Sequence, residues 1–387
     1  MKNGQGEYQR FSYKKLLFGI GIVVIIFLIN GEKVYASQQT NYSEKIDYSD
    51  IQEVIDEVLD QGDNISFQDY VEKLIAGKEP FSFSGIASNI KKGIKQEIGG
   101  NTNALGRLIF IGLIAAIFTN LSMAFKNNQV SETGFYITYL LLFGILIGSF
   151  ISASTLAAAA LSAVLDFMKA LVPAYFLSVG FTTGTGTSMV FYEAALMLIT
   201  LVDLLLIKFV IPLINIYLLI MLVNNLSKED MLSKLASLLL TIINWLLKSL
   251  LAAVIGFHTI QGLIIPVVDR LKRSVFLKAS EAIPGIGNAL GSVTETVLGA
   301  GVLLKNAIGV AGLVIIIVIC SVPLIKLLII TLIYKCGGAA LQPISDKRIL
   351  DCIGASAKSA GMLLQTVFVG AVLFLLTITI VAATTGN

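Results

Sequence analysis

Apolar residues fall in long blocks along this chain, and the polar residues are concentrated ahead of position 105. The clearest block, Ala307 to Tyr334, has 28 residues and one charge, Lys326. A helix rising about 1.5 Å per residue needs only about 20 apolar residues to cross ~30 Å of hydrocarbon. The same pattern predicts spans at 105–125, 135–156, 189–207, 209–226, 236–264, 307–334 and 361–383. Residues 157–180 are apolar but contain Asp166, Lys169 and Pro173, so crossing, re-entry and a surface position are all open to them. The expected fold is all-α: a polytopic helical membrane protein of about seven or eight spans, with a small N-terminal extracytoplasmic helical domain. A long segment, 265–306, separates two of the spans. Within it Ile286, Leu290, Val293 and Val297 recur at helical spacing among glycines, which predicts a surface or re-entrant amphipathic helix leading into the 307–334 span.

The front of the chain has a different pattern. Lys14 and Lys15 precede a 14-residue apolar core, Leu16 to Ile29, and Val34-Tyr35-Ala36 puts compact residues at the −3 and −1 positions. That is the three-part layout of a secretory signal, with cleavage expected between Ala36 and Ser37. Residues 37–104 then form an extracytoplasmic region, and 105–387 the multi-span membrane domain. Residues 44 to 72 hold ten acidic residues and one basic residue, Lys45. Ile51, Val54, Ile55, Val58 and Leu59 lie on one helical face, opened by Ser49 with Gln52 three residues later and closed by Gly62. A second unit has Ser66 with Asp69 at its start, Phe67, Tyr70, Val71, Leu74 and Ile75 on its face, and Gly77 at its end. These short amphipathic helices need a partner surface, and a region of this size is marginal as an independent core. Ile86, Ile90, Ile94 and Ile98, beside Lys91, Lys92 and Lys95, form a third stripe. It suits either the headgroup region or packing on the first two helices.

Composition agrees with the pattern. The 387 residues are 56% hydrophobic and 14% charged, against about 25% charged in soluble domains. The formal charge of +3 belongs to the signal; beyond residue 36, 23 basic residues face 23 acidic ones, which removes any bulk electrostatic case for nucleic acid. Counting positive residues inside and outside gives seven and six whether or not 157–180 crosses, so the rule does not orient the later spans. Cys320, Cys336 and Cys352 have no CxxC spacing and none lies in the exported region, so no disulfide framework is expected there.

Ionisable residues inside apolar runs are the candidate functional positions. They include Arg107, Asp166, Lys169, Glu193, Asp203, Lys248, His258 and Lys326. Asp166 and Lys169 are spaced to pair on one helix face. Glu193 and Asp203 either line a polar path or neutralise Lys248 or Lys326, while Arg107 and Lys208 near span ends snorkel. Gly144 and Gly148 form a GxxxG pair, a helix-packing signal. Enzyme signatures are absent. One histidine excludes an HExxH zinc site, no GxSxG elbow exists, and Thr182 to Ser188 (TTGTGTS) lacks the GK[ST] ending of a phosphate loop. No catalytic, cofactor or metal site is expected.

The signal, the short acidic exported region and the several spans together resemble the stage III sporulation protein AE family of endospore-forming bacteria. The most specific part is Ala282 to Gly312, AIPGIGNALGSVTETVLGAGVLLKNAIGVAG, with its Lys305-Asn306 pair. The resemblance implies a non-enzymatic, multi-pass subunit of a secretion-like channel complex joining mother cell and forespore. It also implies a place in the mother-cell membrane around the forespore, with other membrane subunits of that complex and a forespore partner. A stand-alone secondary transporter is the alternative: broken helices at Pro173, Pro212, Pro266 and Pro323, with Glu193 and Asp203, favour it, and the lack of two matching inverted halves counts against it. The signal reading has a direct check: N-terminal sequencing of the mature protein from membranes should begin at Ser37, and a start at Met1 would show an uncleaved anchor.

Overall fold

A computed structural model describes residues 46–58, 66–77, 110, 113–114, 117, 128–183, 185–226, 230–281 and 287–384. The expected signal and its Ala36–Ser37 cleavage position, the Ile86–Ile98 stripe, Arg107 and most of the expected span 105–125 lie outside the described residues. So do the side chains of 261–298.

All regular structure among the described residues is helical. The elements are α1 (Ser49–Val58), α2 (Phe67–Ile75), α3 (Asn128–Thr183), α4 (Thr185–Val202), a π-helical segment (Asp203–Val210), α5 (Ile211–Leu226), α6 (Ser233–Glu281), α7 (Gly287–Leu341) and α8 (Lys347–Thr384). Five stretches are long and apolar enough to cross a membrane: Phe135–Thr182, Ser188–Leu226, Ser233–Ile260, Gly299–Leu341 and Lys347–Ala382. At about 1.5 Å per residue each is longer than the ~30 Å hydrocarbon layer.

Among the described residues the helices depart from the expected spans in three places. The 135–156 span and the uncertain 157–180 stretch are one helix, α3, which continues through Pro173. The 189–207 and 209–226 spans are likewise continuous, joined by the π-helical segment. There the amide of Ile211 bonds the carbonyl of Leu206, five residues back. A proline ring collides with the carbonyl four residues before it, and Pro212 follows directly, so a widened turn relieves that clash without ending the helix. Thirdly, 265–306 is not a loop. α6 runs on to Glu281 and α7 begins at Gly287, so the expected amphipathic helix is the first part of the next long one.

Long helices consecutive in the chain alternate in direction, so α3 and α7 run antiparallel while α3 and α8 run parallel. Tyr334 of α7 donates to Ser149 Oγ of α3 at 2.8 Å, and further along Gly309 and Gly312 face Tyr175 and Leu171. α8 is the central element, packing against α3, α5, α6 and α7. Its buried face is continuous, from Ile349, Cys352 and Ile353 through Leu363 and Val367 to Phe374 and Ile378. The closest approaches fall at glycine. A side chain on Gly370 of α8 would collide with Leu161 of α3 and press on Leu206 of the π segment.

The two short helices find their partner surface within the chain. α1 packs on α3 and α2 on α7, burying Ile51 and Ile55 of α1 and Phe67 and Val71 of α2. Ser66 caps α2 as expected, accepting from the Asp69 amide at 3.2 Å, and Gly77 ends the unit with φ +64°. The start of α1 differs from expectation. Asp47 accepts from the Ser49 amide at 2.9 Å, and Gln52 instead accepts from the Phe67 amide at 2.9 Å, tying α2 to α1. Tyr48 stacks against Phe67 with ring centres 5.5 Å apart; its burial beside Glu72 pushes its phenol up to about 12.

The glycine contacts make a stability prediction. A methyl at Gly301 meets Phe181 Cβ at 2.9 Å, an atom fixed to the α3 backbone. Gly301→Ala should therefore cost about 1–3 kcal/mol by overpacking. Gly144→Ala, with nothing within 4 Å, should be neutral or mildly stabilising. Thermal unfolding in detergent followed by circular dichroism checks both, and equal midpoints would contradict the helix register described here.

Candidate functional site: paired charges outside, polar ties inside

The ionisable residues divide into an outward set and an inward set. Asp166 and Lys169 pair at 2.9 Å on the outer face of α3, about half exposed, and Ser162 donates to the other Asp166 oxygen at 3.2 Å. Asp203 is 3.8 Å from Lys208 across the π-helical turn, so its ion pair is local rather than with Lys248 or Lys326. Lys248 is exposed on α6 and Lys326 half-buried on α7.

These charges share a level in the bundle. Gly370 packs beside Leu161 and Leu206, and His258 pairs with Thr377 seven residues further along α8. Thr331 faces Gly361. Counting about 1.5 Å per residue from these contacts, Lys208, Lys248, Lys326 and Asp203 fall within roughly 6 Å of the Gly370 level, and Asp166 and Lys169 about 8–12 Å to one side. Glu193 does not belong to this band. It is exposed on α4, about 15 Å along the axis from Asp203, so the two acids do not form the continuous path considered from the sequence. Gly144 and Gly148 are also exposed, and among the described residues nothing lies within 4 Å of a Cβ built on either.

The inward set ties helices together. Tyr139 of α3 donates to the Leu222 carbonyl of α5 and lies 2.8 Å from Cys352 of α8. One turn from Cys352, the Arg348 guanidinium sits 3.5 Å above the Phe135 ring and reaches Asp346 at 3.4 Å. Asn224 orders the turn before α6, donating to Asp230 at 2.9 Å and accepting from the Leu232 amide at 2.7 Å. At the other end of the bundle, Thr377 donates to Leu373 at 2.8 Å. Its oxygen therefore receives the proton of His258 Nε2 at 2.9 Å. His258 is 2% exposed, so the lone histidine is a helix tie.

Lys305 is the residue that the search for ionisable groups inside apolar runs did not include. It lies in α7, wholly buried, and donates to the Ala382 carbonyl at 3.1 Å. α8 ends at Thr384, so Ala382 is among the last carbonyls, which have no partner within the helix. An ammonium there satisfies an orphan acceptor and meets the negative end of the helix dipole. The available sequence signal was its position: Lys305 continues the buried face that Leu304, Ala307, Ile308 and Ala311 define.

Among the described residues no group of three or more His, Cys, Asp or Glu is placed to hold a metal ion. Asp, Lys, His and Tyr act in pairs and ties, and no nucleophile–base pair emerges among them.

Comparison with known proteins gives this scaffold its family. The model of stage III sporulation protein AE matches residues 65–385, nearly all of the long-helix bundle. The chain belongs to the stage III sporulation protein AE family. It is 29% identical over 292 residues to stage III sporulation protein AE of Bacillus subtilis strain 168, covering 75% of this chain and 73% of that protein. No solved structure matches. This family member is thus a multi-pass helical membrane protein of sporulation, and its Lys305 lies within the matched residues.

The Lys305 tie predicts a local effect. Lys305→Met leaves the α8 end without its cation, worth about 1–2 kcal/mol in a buried setting. Hydrogen exchange in micelles should speed up for residues 379–384 and not for the Tyr139–Cys352 end; unchanged exchange at the α8 end would refute the capping role.

Proposed function

We propose that the chain is a non-enzymatic integral subunit of the mother cell–forespore channel complex. It would sit in the mother-cell membrane that surrounds the forespore, with its N-terminal region on the extracytoplasmic side. The observation that carries this reading is the division of polar groups. Inside the bundle they join helix to helix, as Tyr139, His258 and Lys305 do. The remaining charges stand on outer faces of apolar helices, as Asp166, Lys169 and Glu193 do. Charges on such faces are costly against hydrocarbon and suit contact with neighbouring subunits or water. Family membership and the relative's name supply the developmental setting.

The transporter alternative draws less support from this geometry. Its case used broken helices, and α3 and α7 pass through Pro173 and Pro323 unbroken. It also used a joint site at Glu193 and Asp203, which lie on separate parts of the surface.

Affinity capture of the tagged full-length chain from sporulating cells should recover other sporulation membrane proteins and a forespore-made partner. Capture of none of these, together with solute uptake by the purified chain alone in vesicles, would establish the transporter instead.

A further inference from the structure

We infer that a groove along α8, from Gly354 to Val372, receives a transmembrane helix of a different protein, one that carries a carboxylate within its apolar span. The inference rests on the subunit reading above and names the chemistry of one neighbour.

One face of α8 is less covered than the rest. On it Gly354 and Lys358 are exposed, while Gly361, Gln365, Phe368 and Val372 are half-buried. These positions alternate intervals of four and three, the spacing of a seam between two helices. The face runs between two walls. On one side is Tyr217 of α5, whose ring centre is 5.6 Å from the Lys358 ammonium. On the other is Thr331 of α7, 3.8 Å from a Cβ built on Gly361. α6 packs on α5 and α7 on α3, and no close packing joins α6 to α7 over this face among the described residues. A Cβ built on Gly354 meets nothing within 4 Å, so the groove is open at that end.

Two polar groups on the groove floor select the occupant. Gln365 stands at the midpoint of the Lys347–Ala382 span, and its amide makes no hydrogen bond among the described residues. A glutamine side chain there is too short to reach either edge of the hydrocarbon, about 15 Å away. Lys358 stands seven residues earlier, about 10 Å along the axis. It has no carboxylate within ion-pair distance among the described residues. An ammonium and an amide left without partners inside an apolar span are costly. A helix lying along the groove satisfies both with one carboxylate and, seven residues away, one hydroxyl or amide.

Copies of this chain do not supply that carboxylate at the right depth. The apolar stretch 105–125 holds Arg107 and no acidic residue. A second copy facing the groove through its own α8 sets Lys358 against Lys358. The outward carboxylates of α3, α4 and the π-helical segment are Asp166, Glu193 and Asp203. They lie at the Gly370 level or beyond it, at least about 18 Å from Lys358 in depth. Copies inserted in one direction keep that offset.

The test uses the full-length chain in sporulating cells, with the photo-crosslinker p-benzoylphenylalanine in place of Phe368, and of Leu238 on the outer face of α6 as a control. Irradiation should give an adduct at position 368 and not at 238. Mass spectrometry should map it to another membrane protein, in an apolar segment of about 20 residues that contains Asp or Glu. Lys358→Met should lower the yield of this adduct at least about tenfold, and Lys358→Arg should preserve it. Both variants should melt in detergent as the unsubstituted chain does, which separates lost docking from lost folding. Adducts that map to 105–125, to a second copy, to lipid alone or to a helix without a carboxylate would overturn the inference. An unchanged yield in Lys358→Met would do the same. Each of these results leaves the subunit reading standing, since that reading falls only with the affinity capture described above.

Discussion

An apolar helical bundle offers its polar groups no water, and most of this structure follows from that constraint. The buried side chains that tie the bundle together each bond a particular atom of another helix. Tyr139 reaches the carbonyl of Leu222 and the thiol of Cys352, His258 reaches Thr377, and Lys305 reaches the end of α8. These bonds are directional, whereas hydrocarbon packing between helices and lipid is not. They select which helices meet and in what register, while glycines at Gly301, Gly312 and Gly370 let the backbones come close enough for the bonds to form.

The same constraint explains why proline does not divide the long helices. A broken helix leaves backbone groups that need protein or water around them. In α3, Leu171 and Tyr175 on either side of Pro173 are buried in the contact with α7. Continuing the helix keeps that contact. At Pro212 the wider π turn has the same result. α1 and α2 respond to the opposite condition. As short, acidic and amphipathic helices they hold together by laying their apolar faces on α3 and α7 and leaving their carboxylates exposed.

Charges that no tie uses lie on the outer surface, and they bear on how the protein works in its membrane. Asp166 with Lys169 and Asp203 with Lys208 are local pairs, while Glu193 stands apart from both. A protein that operates alone in lipid has little use for such surface charges. A subunit in an assembly can bury them against its neighbours. A bundle whose outer faces carry both large apolar residues and charges is suited to both lipid and protein neighbours.

Helix class, membrane character and family were legible in the sequence because they depend on sums over many residues. Twenty apolar positions in a row report on hydrocarbon whatever their neighbours are, and the i, i+3, i+4 faces of α1 and α2 follow from the helical repeat alone. The Asp166–Lys169 pair was legible for the same reason, being three residues apart on one helix. What only the tertiary structure decided were relations between distant segments. Whether 157–180 continues the helix before it, whether Lys305 is solvated or caps α8, and whether Gly144 and Gly148 pack inside or face outward each depend on which helix lies alongside. Hydropathy is a property of single segments and periodicity of single helices, so neither carries information about the neighbour; direct bonds and close contacts across the bundle supply it.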